Sequence, residues 1–136
     1  MYKKIMVAVD GSETAQKALE EAQNIANSYN ADLCIVHAIA GDSDTDKQTG
    51  IDILEQAKAS VDALSIETQL LQADSEYGLT GITEAITNAG SEWGADLLVV
   101  GTANRRGLER FVIGSVAEQL IAKVESSILL VRPRST

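Results

Sequence analysis

The sequence is poor in the residues and segments that mark several specialised classes of protein. Its single cysteine, Cys34, allows no disulfide bond within one chain. His37 is the single histidine, and with no second His or further Cys to complete a ligand set it indicates a structural residue rather than a metal ligand. No apolar run approaches the roughly 20 residues that a helix needs to cross a bilayer. We therefore expect no metal site, no membrane insertion and a cytoplasmic location.

Basic residues are also scarce. Eleven Lys and Arg stand against 20 Asp and Glu, which gives a net charge of −9. A general nucleic-acid binder needs clustered Lys and Arg for its phosphate contacts, so we expect no nucleic-acid partner. Three of the basic residues, Arg105, Arg106 and Arg110, nevertheless share one glycine-bounded segment. They indicate either a solvated loop or a local positive field that favours phosphates.

The motifs of several enzyme classes are absent. No Gly-Lys-Ser or Gly-Lys-Thr triplet of a phosphate-binding loop occurs. His37 has no Ser or Cys at a spacing that indicates nucleophilic catalysis. A phospho-receiver domain would need an acceptor Asp after the third strand and a Lys after the fifth. This chain has Gln72-Ala73-Asp74 and Arg132-Pro133 there, which is a poor match. We expect no enzymatic activity beyond incidental hydrolysis of a bound nucleotide.

Alternating segments define the fold class. Apolar runs at residues 5–9, 32–39, 66–71, 97–100 and 128–131 predict strands, the third polar enough for a sheet edge. Helical spacing predicts helices over residues 15–29, 51–64, 82–93 and 115–124. Because strands and helices alternate throughout, the 136 residues predict one α/β domain, 1–136, with an open five-stranded parallel sheet covered by helices on both faces.

Polar residues predict where the helices begin and end. Ser12 is expected to cap the first helix and Asn30 to close it. Residues 41–50 are polar and predict a mobile loop, after which Thr49 and Asp52 have the spacing of a capping box. Thr80 is expected to cap the third helix.

The segment from residue 101 to residue 116 carries the chemistry. Gly101 stands where a strand ends, and Gly114 and Ser115 stand where a helix begins. Glycine permits close approach of the backbone to a ligand, and a helix N-terminus offers free N–H groups and a positive dipole end to an anion. Ligands of open α/β sheets bind outside the carboxyl ends of the strands, where the strand order reverses. If the first and fourth strands are neighbours, Asp10 and Gly101 face one crevice.

Together these residues resemble the universal stress protein family, whose members are small adenine-nucleotide-binding α/β domains. The resemblance covers the whole chain. It is carried by Asp10, Gly11 and Ser12 after the first strand, by Val36 and His37 on the second, and by residues 95–101, 107–116 and 127–133. It implies the strand order 3-2-1-4-5, which places the first and fourth strands side by side.

The resemblance also implies a site. The ATP-binding branch of the family has a loop of the pattern Gly, two residues, Gly, nine residues, Gly and Ser or Thr. Gly101, Gly114 and Ser115 match it, whereas Asn104 stands at the second glycine and Ala103 replaces a common histidine. Asn tolerates left-handed backbone geometry better than most residues, so the turn can persist.

The family pattern assigns a role to each matching residue. Asp10 is implied to bind the ribose hydroxyls or a phosphate-bound Mg²⁺, with shaping of its own turn as the alternative. Gly101 is implied to admit the ribose or phosphate, with termination of its strand as the alternative. Ala8, Ala38 and Val100 are implied to line the adenine slot, and Ala103, Asn104, Gly114, Ser115 and Val116 the phosphate loop. The implied ligand is ATP with Mg²⁺, although AMP or another adenine nucleotide shares the same base and ribose contacts.

The expected partners follow from the fifth strand. An uncovered apolar edge invites pairing with another chain, and the family commonly dimerises through it, so we expect a homodimer through residues 128–132. An unknown protein partner is expected to read the bound state. The alternative is a member of the branch that binds no nucleotide and acts through protein contacts alone.

Overall fold

The computed structural model of the chain describes residues 1–102 and 115–132. Over these ranges it contains β1 (Lys4–Ala8), α1 (Glu13–Tyr29), β2 (Asp32–Ile39), α2 (Asp44–Ala59), β3 (Ile66–Gln72), a 3-10 turn (Ser75–Tyr77), α3 (Gly78–Trp93), β4 (Leu97–Gly101), α4 (Ser115–Lys123) and β5 (Ser127–Val131). The strands are parallel and lie in the order β3-β2-β1-β4-β5. The predicted fold class and strand order are confirmed.

Two apolar layers cover the two faces of the sheet. Alternate residues of each central strand point to opposite faces, so that Ile5 and Val7 of β1 pack with α1 and α2 whereas Met6 packs with α3 and α4. Because helices cover both faces of the sheet, Ile5, Met6 and Val7 are all fully buried. The central strands therefore appear in the sequence as continuous apolar runs rather than as an alternation of apolar and polar residues. No helix in the described part of the chain combines the length and the apolar character that crossing a membrane requires.

The predicted limits of α1 are confirmed. Ser12 caps it, since the Ser12 hydroxyl oxygen accepts a hydrogen bond from the Ala15 N–H at 3.1 Å. Asn30 ends it in the left-handed conformation, with φ of 54°. Both limits depend on residues three or four positions apart, so the local sequence is sufficient to specify them.

The predicted loop at residues 41–50 is wrong over most of its length. Ser43 caps α2, with its hydroxyl oxygen accepting from the Asp46 N–H at 3.1 Å, and the helix begins at Asp44. Two acidic residues in its first turn complement the helix dipole. The helix also ends before Leu64, whose surface is 77% exposed. The helix buries only a narrow stripe on the sheet, which includes Gly50, Leu54 and Ala57, so a mostly polar sequence is compatible with it.

The predicted cap of α3 is wrong as well. The helix begins at Gly78, two residues before Thr80, and the residue at its cap position, Tyr77, makes no capping hydrogen bond with its side chain. Instead Asp74 accepts from the Glu76 N–H at 3.0 Å and begins a 3-10 turn that leads into the helix. Gly78 then redirects the chain with φ of 54°.

Candidate functional site

A cavity of about 360 Å³ opens at the carboxyl ends of β1, β2 and β4, within the size range of small-molecule sites. Helix α3 forms its opposite wall, and the first turns of α1 and α4 contribute to its sides. Six of the residues that the sequence singled out line it, namely Ala8, Asp10, Ala38, Val100, Gly101 and Val116. The sheet order therefore brings the ends of the first and fourth strands to one crevice, as the sequence predicted.

Four other predicted residues are not placed in this way. Ala103, Asn104 and Gly114 lie outside the described residues, together with the three arginines of the same segment. Ser115 begins α4, but its side chain also lies outside the description. The part of the predicted phosphate loop that the structure describes is Gly101 at one end and the first turn of α4 at the other.

Small side chains make room for the cavity on the sheet. Ala8, Ala38 and Val100 all project to the face that carries α3 and α4. Deeper on the same face the strands carry larger residues, such as Met6 and Leu98, which are buried. The change from large to small residues along each strand opens the sheet face where the strands end.

The backbone of Ala38 offers a donor and an acceptor to this cavity. In a parallel sheet, alternate residues of a central strand direct both backbone groups to one neighbour and then to the other. The Ile39 carbonyl accepts from Ala73 N–H at 2.8 Å on the β3 side, and the Val36 carbonyl accepts from Val9 N–H at 2.9 Å on the β1 side. Ala38 therefore faces the β1 side, where β1 has already ended. Its N–H and C=O point beyond the end of β1, among the residues that line the cavity.

Asp10 shapes its turn and also lines the cavity. One carboxylate oxygen accepts the Ser12 N–H at 3.0 Å, which closes an Asx turn before α1. The residue is exposed, so the carboxylate also faces solvent at the cavity edge. The two roles considered for Asp10 are therefore geometrically compatible.

His37 contributes a hydrogen bond that supports the same turn. Its Nδ1 lies 2.7 Å from the Val9 carbonyl oxygen, and because a carbonyl only accepts, Nδ1 carries the proton. The ring also packs on α2, where a side chain at Gly50 would approach His37 Cδ2 to 3.3 Å. This hydrogen bond agrees with the structural role that the sequence indicated for His37, and the residue lines the cavity as well.

Gly101 lacks a side chain for a reason that involves α1. A Cβ atom at this position would lie 2.7 Å from Thr14 Cγ2 and 3.2 Å from the Thr14 backbone carbon and oxygen. This direction belongs to the α1 face of the sheet, opposite to the face on which Val100 lines the cavity. Close packing of a strand end on a helix is therefore sufficient to require glycine here.

Sequence reasoning missed the wall formed by α3. Leu79, Ile82 and Ile86 line the cavity from this helix, at spacings of three and four residues that place them on one face. The periodicity identified Ile82 and Ile86 as apolar helix positions but contained no sign of a cavity beside them. A helical stripe that faces a cavity has the same pattern as one that faces a packed core.

Acidic residues are sparse in the cavity. Among the described residues that line the cavity, Asp10 is the one with an acidic side chain. Across residues 1–102 and 115–132, no group of three or more His, Cys, Asp or Glu residues is arranged to hold a metal ion. A divalent cation at this site would therefore need phosphate oxygens as its main ligands.

The fold is that of the open α/β sheets. The cavity lies where the strand order reverses, between β1 and β4, which is the usual ligand position in this class. Within that class, the chain belongs to the universal stress protein family, whose sequence model matches residues 1–132. Universal stress protein YxiE of Bacillus subtilis is 28% identical over 153 aligned positions, which cover 97% of this chain and 100% of that protein.

Two solved structures from Archaeoglobus fulgidus have the same fold. A universal stress protein from this organism superposes with a TM-score of 0.79 at 25% identity and covers 97% of this chain and 100% of its own. A universal stress protein from the same organism in complex with dAMP superposes with a TM-score of 0.74 at 26% identity, over 96% of this chain and 98% of its own.

Proposed function

We propose that this chain is a regulatory protein that binds an adenine nucleotide in the cavity at the ends of β1, β2 and β4. The observation that carries the proposal is the combination of a shallow alanine-lined floor with the backbone N–H and C=O of Ala38, which β1 leaves without a strand partner. A flat aromatic base with a donor and an acceptor on one edge is the chemistry that this surface matches.

Adenine and guanine carry their donor and acceptor in opposite positions on this edge. On its Watson–Crick edge adenine presents its amino group as a donor beside a ring nitrogen that accepts. In the proposed pose the Ala38 carbonyl accepts from the amino group and the Ala38 N–H donates to that ring nitrogen. Guanine places an acceptor oxygen and a ring N–H in the same positions, which sets acceptor against acceptor and donor against donor. We therefore propose selectivity for adenine over guanine.

The ribose and phosphates would extend from this base toward Asp10 and α4. Asp10 would accept hydrogen bonds from ribose hydroxyls, and the N-terminal N–H groups of α4, at Ser115 and Val116, would donate to phosphate oxygens. Mg²⁺ would enter with the phosphates of ATP. The Archaeoglobus fulgidus protein in complex with dAMP supports an adenine nucleotide, and ATP is our proposal for the physiological ligand.

The same proposal includes a homodimer and a regulatory rather than catalytic role in the cytoplasm. Strand β5 stands at one edge of the sheet, and its residues Ile128 and Leu130 are half-buried apolar side chains. Pairing of this edge with a second copy would cover it and leave the cavity accessible to nucleotide.

Calorimetric titration of the protein, stripped of co-purified ligand, tests the proposal with AMP, ATP with Mg²⁺, and GMP. We expect binding of both adenine nucleotides and much weaker binding of GMP. The variant Ala38→Leu places a larger side chain in the part of the cavity proposed for the base. It should lose AMP binding while its thermal stability stays close to that of the wild type. Ala59→Leu, at an exposed position of α2, is the matched control. A wild-type protein that binds no adenine nucleotide at millimolar concentration would leave only a role in protein contacts.

A further inference from the structure

The wall of the cavity on α3 changes in exposure from bottom to mouth. Ile86 is 4% exposed, Ile82 is half-buried and Leu79 is 48% exposed. All three line the same cavity, so Leu79 marks the point where the wall reaches solvent. An apolar side chain of this size, half-exposed at the edge of a cavity, leaves contact area that a ligand can bury.

The two residues before Leu79 have little packing around them. Gly78 has φ of 54°, and a Cβ atom placed there would have no neighbour within 4 Å. The residue before it, Tyr77, is 63% exposed. The side of the turn at Gly78 is therefore open beside Leu79, whereas Gly81 packs on the Asp74 backbone and the Leu79 carbonyl accepts from the Thr83 hydroxyl at 3.0 Å, so the turn holds Leu79 in place at the mouth of the cavity.

We propose that Leu79 is a specificity-determining residue of the nucleotide site and covers the outer face of the base. This inference rests on the proposed function. In the bound state the base lies between the alanine floor formed by Ala8 and Ala38 and the α3 wall, with Leu79 over its solvent-facing side. The contact selects ligands that carry a nucleobase over sugar phosphates that lack one.

The first test compares two ligands that differ only in the base. Leu79→Ala is expected to weaken binding of AMP by about three- to tenfold, the effect of losing a partly buried leucine contact, and to leave any binding of ribose 5-phosphate unchanged. Leu64→Ala, at a leucine that is 77% exposed and precedes β3 at the other edge of the sheet, is the control and should leave both affinities unchanged. Equal affinity of wild type and Leu79→Ala for AMP would overturn the inference.

The second test reports coverage of the residue directly. In Leu79→Cys the introduced thiol is the one that reacts with a thiol reagent. The native Cys34 is fully buried, and burial raises the pKa of the Cys34 thiol to about 12. AMP at a concentration that saturates this variant is expected to slow its reaction with a thiol reagent at least about fivefold. The thiol introduced by Leu64→Cys should react at the same rate with and without AMP.

The two failures are distinguishable. A wild-type protein that binds no AMP contradicts the proposed function and this inference together. A wild-type protein that binds AMP, with a Leu79→Cys thiol that AMP does not protect, contradicts this inference alone.

Discussion

Gly101 ends β4 with its missing side chain directed at helix α1, and this contact allows a quantitative prediction for Gly101→Ala. The added Cβ would lie 2.7 Å from Thr14 Cγ2 and 3.2 Å from the Thr14 backbone. Thr14 is 1% exposed, and a β-branched residue in a helix has few alternative rotamers. The methyl group therefore has no room unless the start of α1 or the end of β4 moves.

The size of the effect follows from overpacking. Inserting a methyl group into a well-packed interior lowers the free energy of unfolding by about 1–3 kcal/mol. For a chain of this length, each kcal/mol lowers the melting temperature by roughly 3–5 °C. We expect Gly101→Ala to lower the free energy of unfolding by about 2 kcal/mol and the melting temperature by roughly 6–10 °C.

Urea denaturation of a double-mutant cycle measures this effect and its origin. Thr14→Ser removes the nearest atom, Cγ2, and should reduce the loss caused by Gly101→Ala by about half, since the backbone atoms at 3.2 Å remain. Gly90→Ala is the matched control. Its Cβ would lie 3.8 Å from Met6 Sδ, an ordinary contact, and alanine inside a helix should stabilise the protein by about 0.5–1 kcal/mol. A Gly101→Ala loss under about 0.5 kcal/mol, or one that Thr14→Ser leaves unchanged, refutes the packing argument.

Three further predictions concern other parts of the molecule. His37→Ala removes the donor at 2.7 Å from the Val9 carbonyl and should lower the free energy of unfolding in urea by about 1–3 kcal/mol; a change within error contradicts this role. Burial raises the pKa of Cys34 from 9.0 to about 12, so between these values the native protein binds more protons than the unfolded chain, and the free energy of unfolding should fall as pH rises through that window. Cys34→Ala should fall less steeply, and parallel pH profiles would exclude a contribution from this thiol. The Val131 carbonyl accepts from the Thr102 N–H at 2.9 Å on the β4 side, so the backbone groups of the preceding residue, Leu130, point to the free edge of the sheet. Leu130→Pro removes the N–H at that edge, which the proposed dimer needs. The expected result in sedimentation is a folded monomer; a persistent dimer places the dimer interface elsewhere.

The elements that the sequence predicted correctly depend on neighbouring residues. The Ser12 cap joins atoms three residues apart, and the left-handed Asn30 follows from its own side chain. The buried strands appear as apolar runs because both faces of the sheet are covered. For the first turns of α2 the same reasoning failed, since the polar residues 44–50 gave no sign that the helix predicted from residue 51 begins at Asp44.

The candidate site divides in the same way. At the strand ends, Asp10 and Gly101 were recognisable in the sequence because ligands of open α/β sheets bind outside the carboxyl ends of the strands, whereas Ala38 was implied by the family resemblance. Three other facts were not recognisable. These are the free backbone groups of Ala38, the direction of the missing Gly101 side chain and the partly exposed Leu79 on the opposite wall.

By itself the sequence determined the alternation of strands and helices and the parallel sheet, through local periodicity, and the family, through short motifs in a fixed order along the whole chain. Only the tertiary structure decided that β1 ends before it can pair with Ala38 and that α3 stands away from the sheet at Leu79. Those two facts create the cavity. They depend on where elements distant in the chain stop relative to one another, and no periodicity within a single element records that distance.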